Sequence, residues 1–375
     1  MKPETSAIHA GNFPDETNRP VIQSLTLATT FERPNPAGHQ YTRASNPNRA
    51  ALENVLARLE GGAEAAAFSS GNAAGMAVFQ SLAPGSHVIV PENMYHGLKL
   101  QINSIFKGIL EFTFADLADL PTLATLIRPE TRLLWVETPS NPLLQLSDIA
   151  ALCALVQPHG IKVVCDNTFA TPVFQQPLAL GADVVMHSST KFLGGHSDIL
   201  GGALITKQKD AFWERIKEAQ TVGGAVPSPF DCYLLTRSIK TLYYRMRGHE
   251  ENANTLARYL KAHPQVEDVY YPGLSTHIGH NIAKRQMGGY GAVLSFLVKG
   301  GAEAADKVVA SLKLYAHATS LGGVESLIER RASVEGPHTK TPQNLLRVSV
   351  GLEHVDDLIA DMEQALRQLL IGQRM

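Results

Sequence analysis

Short, nearly continuous runs of apolar residues, separated by helical stretches, constrain the fold of this chain more than any other feature. These runs occupy residues 63–68, 87–90, 133–137, 162–166, 183–187 and 202–206. Strands that are apolar on both faces are typical of a mostly parallel sheet covered by helices on each side. The pattern therefore predicts an α/β domain in this part of the chain.

Helical patterns fill the spaces between these runs. Residues 50–60 carry an apolar stripe and stop at Gly61, which is typical of a helix ended by glycine. Further helices are predicted over 72–82 and 147–160. Each apolar run is thus followed or preceded by a segment that can cover one face of the sheet.

The two ends of the chain follow other patterns. Residues 1–44 are interrupted by prolines and turn residues and are predicted to form neither helix nor strand, as an arm that packs on a partner would. Beyond about residue 240, strands are predicted at 291–298 and 345–351. Apolar residues at helical spacing from Val355 to Leu369 predict an amphipathic last helix. This part resembles a smaller α+β domain.

Composition excludes several classes of function. The chain has 375 residues, 44% apolar side chains and a formal net charge of −2, without a run of basic residues. Binding to nucleic acid or to an anionic membrane through charge is therefore not expected. Three cysteines without a CxxC motif, no signal-peptide pattern and no window of ~18 apolar residues predict a cytoplasmic protein without membrane spans.

Polar residues stand at the strand ends, where open α/β sheets bind ligands. Residues 69–72 (Ser-Ser-Gly-Asn) follow one strand and open a helix, so they either cap that helix or bind a phosphate. Asp166 ends a second strand, and Lys191 follows a third through Ser188 and Thr190. Asp and Lys alone could form an ordinary ion pair. The full set is what pyridoxal 5′-phosphate (PLP) requires, namely an amine for the imine, a carboxylate for the ring nitrogen and donors for the phosphate.

Further motifs extend along almost the whole chain. They are residues 41–43 with 46–47, 69–71, 137–142, 166–168, 188–191 with 194–198, 320–327 and 347–353. On these motifs the chain resembles the Cys/Met-metabolism PLP-dependent enzymes, the group of cystathionine γ-synthases, cystathionine γ-lyases and methionine γ-lyases. The resemblance implies a PLP-dependent aminotransferase-like fold (fold type I), with an arm at 1–44, a PLP-binding domain at 45–240 and a C-terminal domain at 241–375.

The resemblance also implies roles for individual residues. Lys191 would carry PLP as a Schiff base and shuttle protons, and Asp166 would hold the pyridine nitrogen. Tyr95 would stack on the ring and help to protonate the leaving group, so that Lys191 and Tyr95 are the catalytic pair. The residues expected to bind the phosphate are Ser70, Gly71, Asn72, Ser188 and Thr190.

The resemblance also implies a set of substrate-binding residues and a set that reaches a neighbouring subunit. Arg347 is expected to bind the α-carboxylate of the substrate in a fork, helped by Asn141 and the Ser320 backbone. Tyr41 and Arg43 are expected to reach the phosphate site of a neighbouring subunit, which implies a catalytic dimer and, by family, a homotetramer of two such dimers. No metal-ligand spacing is found, and no GxGxxG motif predicts a dinucleotide site.

The expected reaction is elimination of a thiol from a small sulfur amino acid, giving a 2-oxo acid and ammonia. The alternative is γ-replacement, as in a cystathionine γ-synthase or a homoserine-ester sulfhydrylase. The two reactions share their catalytic residues, so the sequence leaves them open. A third hypothesis, a non-catalytic PLP-binding protein, is disfavoured because Lys191, Tyr95, Asp166 and Arg347 occur together.

Three departures from the family bear on specificity. Leu100 replaces an arginine usual in cystathionine enzymes, Thr319 replaces a glutamate, and residues 329–337 replace a Met-Thr-His-Ala-like stretch. The loss of these charges predicts relaxed specificity that leans towards methionine or cysteine, since burying the charged head of cystathionine without partners is costly. The cations that could supply the missing charge are Lys99, Arg330 and Arg331.

Overall fold

The structure is a computed structural model that describes residues 1–13, 18–335 and 339–371. Its strands are β1 (Glu64–Phe68), β2 (His87–Pro91), β3 (Glu111–Ala115), β4 (Thr131–Glu137), β5 (Lys162–Asp166), β6 (Val184–His187), β7 (Gly202–Thr206), β8 (Val266–Tyr270), β9 (Val293–Val298), β10 (Ala316–His317), β11 (Leu327–Arg330) and β12 (Leu345–Ser349).

The helices are α1 (Pro3–His9), α2 (Pro47–Glu60), α3 (Gly71–Gln80), α4 (His96–Ser104), α5 (Leu120–Thr125), α6 (Ile149–Val156), α7 (Thr171–Phe174), α8 (Ala211–Gly223), α9 (Pro229–Ile239), α10 (Leu242–Ala262), α11 (His280–Gln286), α12 (Gly301–Ser311), α13 (Ala332–Glu335) and α14 (Val355–Ile371). A 3₁₀ turn at Gln157–His159 follows α6. Within the ranges described above, no helix combines the length and the apolar character that a bilayer crossing requires.

Seven strands form the larger sheet, in the order β1-β7-β6-β5-β4-β2-β3. Neighbouring strands run parallel except at β7, which is antiparallel to both β1 and β6. The mostly parallel α/β sheet predicted from the apolar runs is therefore confirmed. Strand β3 was not predicted because it lies at the edge, where four of its five residues are exposed or half-buried and no continuous apolar run is needed.

Five strands form a smaller mixed sheet near the C-terminus, in the order β10-β11-β12-β9-β8. The last helix, α14, packs on it through buried residues such as Leu358, Met362 and Leu366, as its apolar spacing predicted. Strands β8 and β11 were not predicted from the sequence. They are only five and four residues long, and each contains charged side chains.

Local signals explain where α2 begins and ends. The Asn46 side chain accepts a hydrogen bond of 2.9 Å from the Asn48 N–H, and Pro47 occupies the first turn. The helix therefore begins at Pro47 rather than at residue 50. It ends, as predicted, at Gly61, whose φ of 68° is a left-handed conformation that glycine adopts without steric cost.

The prediction that residues 1–44 contain no helix is wrong for α1. A proline stands in its first turn, and Ala7 is buried in the same core cluster as Leu52 and Val55 of α2. A helix of seven residues has too little propensity of its own to be recognised, and packing against α2 stabilises it.

The sheet register brings three strand ends together. Glu137 at the end of β4 pairs with Asp166 at the end of β5, and Asp166 pairs with Met186 of β6. Since parallel strands end at the same edge, residues that follow β4, β5 and β6 lie side by side. The candidate site is found at this edge.

Candidate active site

A cavity of 360 Å³ lies at the carboxyl ends of β4, β5 and β6, between the two sheets. We call it the inner cavity. It brings together all the predicted site residues except Tyr41 and Arg43. Those lining it are Ser70, Gly71, Asn72, Tyr95, Asn141, Asp166, Ser188, Thr190, Lys191, Ser320 and Arg347. Residues not predicted for the site also line it, among them Glu137, Thr168, Phe169, Met186, Leu200 and Leu321.

One end of the inner cavity is formed by the first turn of α3. The Ser70 side chain accepts a hydrogen bond of 3.0 Å from the Ala73 N–H and so caps the helix. A Cβ atom on Gly71 would lie 2.9 Å from the Ser188 Cβ, so only glycine lets these two segments approach. The helix N-terminus and the hydroxyls of Ser188 and Thr190 fit an anionic phosphate group.

The carboxyl group of Asp166 is buried and held in place by Thr168. The Thr168 N–H and hydroxyl donate hydrogen bonds of 3.0 and 2.5 Å to its Oδ1 atom. Burial raises the pKa of Asp166, while the Thr168 bonds and the nearby His187 oppose that rise. The Thr168 hydroxyl also accepts a bond of 2.9 Å from the Ser188 N–H, which ties the end of β5 to the segment after β6.

Glu137 is a buried residue of the site whose function was not foreseen. Its Oε2 atom accepts a hydrogen bond of 2.7 Å from the Tyr95 N–H, which fixes the backbone at the start of α4. Burial raises the pKa of Glu137, and the neighbouring Asp166 carboxylate raises it further. Its position at a strand end, level with Asp166, was the sequence signal that could have found it.

The amine of Lys191 belongs to the lining of the inner cavity. Its Nζ atom donates a hydrogen bond of 2.8 Å to the Ser320 hydroxyl. Burial lowers the pKa of Lys191 to about 8, and the positive charge of Arg347 contributes in the same direction. A buried amine of this kind is neutral for part of the time near pH 8, which suits it to attack a carbonyl group or to carry protons.

Arg347 on β12 is buried and lines the inner cavity together with Lys191. Its Nη1 atom donates to Asn141 Oδ1 at 3.2 Å, and its Nη2 atom donates to the Ser320 carbonyl at 2.7 Å and also to Glu329. Burial lowers its pKa to about 10, although Glu329 opposes this effect. Within the described ranges, its buried Nε atom has no hydrogen-bond partner. Arg347 lines the inner cavity, so its guanidinium could bind a carboxylate there.

The residues that depart from the family lie in different places. Arg331 lines the inner cavity and pairs with Glu329 at 3.0 Å, whereas Arg330 pairs with the exposed Asp306 at 2.6 Å and does not line it. Thr319 lines the inner cavity and donates a bond of 2.9 Å to Glu329. The departing stretch 329–337 includes Gly336 and Pro337, which lie outside the described residues.

A second cavity, of 460 Å³, adjoins the first and shares Tyr95, Asn141 and Arg331 with it. We call it the outer cavity. The charged and hydroxyl side chains that line the rest of it include Glu92, Lys99, Glu335, Thr339, Lys340 and Thr341. Lys99 therefore lines the outer cavity, whereas Leu100 beside it is 55% exposed and lines neither cavity.

Tyr41 and Arg43 are not brought to the inner cavity of their own chain. Arg43 donates a hydrogen bond of 2.7 Å to the Thr221 carbonyl, and its guanidinium lies 5.6 Å from the centre of the Tyr41 ring. Tyr41 is 45% exposed. Both side chains lie at the surface of the single chain.

Comparison with known proteins gives a consistent result. The family model described as "Cys/Met metabolism PLP-dependent enzyme" matches residues 4–367. A cystathionine gamma-synthase of Mycobacterium tuberculosis (strain ATCC 25618 / H37Rv) is 47% identical, over 97% of this chain and 96% of that protein. A cystathionine gamma-lyase of Dictyostelium discoideum is 43% identical, over 96% and 97%. The crystal structure of metB from Corynebacterium glutamicum superposes with a TM-score of 0.95 at 41% identity, covering 98% of each chain.

Proposed function

The chain belongs to the Cys/Met-metabolism family of PLP-dependent enzymes, and on that premise we propose that it eliminates a thiol from a small sulfur amino acid, leaving a 2-oxo acid and ammonia. PLP is its cofactor. The observation that carries the proposal is the meeting of Lys191, Asp166 and Arg347 in one buried cavity. An amine, a carboxylate and a guanidinium there can serve cofactor attachment, ring protonation and substrate binding.

The residues of the inner cavity fit PLP. Lys191 would bind its aldehyde carbon, and Asp166 would hold the proton on its ring nitrogen, since a buried carboxylate next to that nitrogen favours the protonated ring. Tyr95 would stack on the ring. The phosphate would be held by Ser70, Gly71, Asn72, Ser188 and Thr190. When bound, PLP supplies an electron sink for the carbon next to the substrate amino group.

Arg347 would orient the substrate. Its Nη atoms are held by Asn141 and the Ser320 carbonyl, and the guanidinium so positioned would bind the α-carboxylate. Fixing that carboxylate would bring Cα towards the Lys191 amine, since Lys191 and Arg347 line the same cavity. The lowered pKa of Lys191 lets the amine take a proton from Cα and return it to a later carbon near neutral pH. Tyr95, at the junction of the two cavities, would protonate the departing sulfur.

A second candidate function is γ-replacement, in which a thiol displaces an activated γ-substituent of homoserine. The four mycobacterial relatives named cystathionine gamma-synthase, each 47% identical, favour it. The same lysine, aspartate and arginine serve both reactions, so product analysis is the way to separate them.

The experiment incubates the PLP-loaded enzyme with cystathionine, methionine, cysteine, or O-acylhomoserine plus cysteine. Release of a 2-oxo acid and ammonia from a thioether or thiol alone supports elimination. Formation of a new thioether from O-acylhomoserine and cysteine supports replacement. If the PLP-loaded enzyme gives neither product, both proposals are wrong.

We further propose a homotetramer built from two catalytic dimers, in the cytoplasm, where the three buried free cysteines would stay reduced. In each dimer the arm at 1–44 would carry Tyr41 and Arg43 to the phosphate site of the neighbour. Their absence from their own inner cavity supports this arrangement. The arm, the PLP-binding domain at 45–240 and the domain at 241–375 remain our proposed division of the chain.

A further inference from the structure

Glu60 and His187 form a buried pair that the proposed function does not use. The Nε2 atom of His187 lies 2.5 Å from the Oε1 atom of Glu60, and each side chain is only 1% exposed. Glu60 is the last residue of α2, and His187 ends β6 shortly before Lys191. Neither of the paired residues lines the inner cavity. The pair therefore joins α2 to the strand that leads to the reactive lysine.

The position of Glu60 is not explained by the stability of α2. The C-terminal end of a helix carries partial negative charge, so a carboxylate in the last turn is unfavourable there. Burying an ionic pair also costs desolvation free energy that apolar side chains would avoid. Among the described residues, moreover, the Oε2 atom of Glu60 and the Nδ1 atom of His187 have no hydrogen-bond partner. A contribution to folding does not account for such a pair.

Hydrogen bonds connect Glu60 to the segment that carries Asp166. Its Oε1 atom accepts a bond of 2.9 Å from the Nδ2 atom of Asn167, the residue after Asp166. The Oδ1 atom of Asn167 accepts a bond of 3.0 Å from Gln175, and Gln175 also donates to the Thr138 carbonyl at 3.0 Å. The network thus connects the ends of β4, β5 and β6 through side chains that do not line the inner cavity.

Asp166 needs stabilisation to stay ionised. Burial raises its pKa, and Glu137 lies level with it on β4, so that each carboxylate disfavours the ionisation of the other. The bonds from Thr168, and then the charge of His187, oppose the rise in the pKa of Asp166. A lone imidazolium is costly to bury, so His187 can supply that charge only beside an anion. Glu60 is the anion in contact with it.

We propose that Glu60 and His187 are a positioning pair for Asp166. Glu60 keeps the imidazole of His187 protonated, and the imidazolium keeps Asp166 ionised, so that this carboxylate holds a proton on the ring nitrogen of PLP. The inference rests on the proposed role of Asp166. It holds for elimination and replacement alike, since both need the ring as an electron sink.

The test observes the ring nitrogen directly, by nitrogen NMR of the protein loaded with PLP that is isotopically labelled at that atom. Glu60→Gln keeps an oxygen for Asn167 and removes the charge, whereas His187→Gln keeps a donor for Glu60 and removes the imidazolium. In both variants we expect the resonance to move towards that of an unprotonated ring. The Kd of PLP should rise by about 10-fold, as for the loss of a hydrogen bond to a charged group.

Glu53→Gln is the matched control. Glu53 also lies on α2, but it accepts a bond of 2.8 Å from Gln220 and does not contact His187. This variant should change neither the ring-nitrogen resonance nor the Kd of PLP. A purely structural role for the pair would lower the melting temperature and weaken PLP binding in Glu60→Gln and His187→Gln but leave the resonance in place. That result overturns the inference.

If neither glutamine variant folds, nitrogen NMR of the wild type labelled in histidine decides. His187 should carry protons on both ring nitrogens at neutral pH, and a neutral His187 overturns the inference.

Asp166→Asn separates failure of this inference from failure of the proposed role of Asp166. If Asp166→Asn moves the ring-nitrogen resonance and the two glutamine variants do not, the inference alone is wrong. If Asp166→Asn leaves the resonance in place as well, the proposed role of Asp166 is wrong too. None of these measurements needs turnover, so they apply whichever reaction the enzyme catalyses.

Discussion

The Nζ atom of Lys191 donates a hydrogen bond of 2.8 Å to the hydroxyl of Ser320, 129 positions further along the chain. Lys191 follows β6 of the larger sheet, whereas Ser320 lies between β10 and β11 of the smaller one. The reactive amine is therefore positioned by both sheets. Its burial, and with it the lowered pKa, depends on their packing against each other.

Replacement of Lys191 by alanine should remove the visible absorption of the lysine-bound cofactor and abolish turnover, because no other lysine among the described residues lines the inner cavity. Absorption spectra of the PLP-treated protein and product assays measure both effects. Lys207→Ala, at an exposed lysine just after β7, should change neither. Normal activity in Lys191→Ala would show that the cofactor is held elsewhere.

The uptake of PLP by the cofactor-free protein should depend on pH with a midpoint near 8. Only the neutral amine attacks an aldehyde, and burial followed by the charge of Arg347 lowers the pKa of Lys191 to about 8. The rate should rise as the pH approaches that value and level off above it. Stopped-flow absorption across pH 6 to about 10 measures the profile.

Two variants check the cause of that midpoint. Arg347→Leu removes a positive charge beside Lys191 and should move the midpoint upward, whereas Arg330→Leu should leave it in place because Arg330 pairs with Asp306 outside the inner cavity. A rate that keeps rising tenfold per pH unit up to pH 10 would indicate an ordinary lysine.

Arg347→Ala should weaken substrate binding strongly. Removing the partner of a buried carboxylate costs about 2–5 kcal/mol, which corresponds to a loss of about 30-fold or more in kcat/KM. Steady-state kinetics with the preferred substrate measure the loss, and PLP absorption shows whether the cofactor site is intact. Arg330→Ala serves as the control, and an equal loss in both variants would count against a specific role for Arg347.

Mixed oligomers should test whether the active site is shared between subunits. Arg43→Ala and Lys191→Ala proteins should each be inactive alone, since one lacks the arm residue and the other the reactive lysine. After subunit exchange, a dimer that places an intact arm against an intact Lys191 should recover part of the activity. Mass spectrometry confirms mixing, and mixed oligomers without any activity would contradict sharing.

The sequence predicted the centre of the site because its residues follow buried strands. Asp166, Ser188 and Lys191 stand at or just after the ends of β5 and β6, and parallel strands end at one edge. Glu137 stands at such an end too, but its bond to the Tyr95 N–H spans 42 positions and depends on how α4 packs. A contact between residues so far apart along the chain leaves no local pattern in the sequence.

Arg330 and Arg331 face different ways because side chains alternate along a strand. The sequence alone did not decide which of the two could supply the missing charge. In the antiparallel pair of β11 and β12, Glu329 lies opposite Arg347, so the next residue, Arg330, turns to the other face. Arg331 comes back to the inner cavity just after the strand ends. The choice would have been predictable only if β11 had been recognised, and its four residues are too few and too charged for that.

The bond between Asn141 and Arg347 joins the segment after β4 to the smaller sheet across the inner cavity. A ligand carboxylate bound by Asn141 and Arg347 would connect the two sheets further. It would bind the native protein but not the unfolded chain. By mass action it would add about 2.7 kcal/mol to the free energy of unfolding at a hundred times its Kd. The melting temperature of the protein therefore reports how far the inner cavity is occupied by ligand. Compounds can be ranked by this temperature before any reaction is identified.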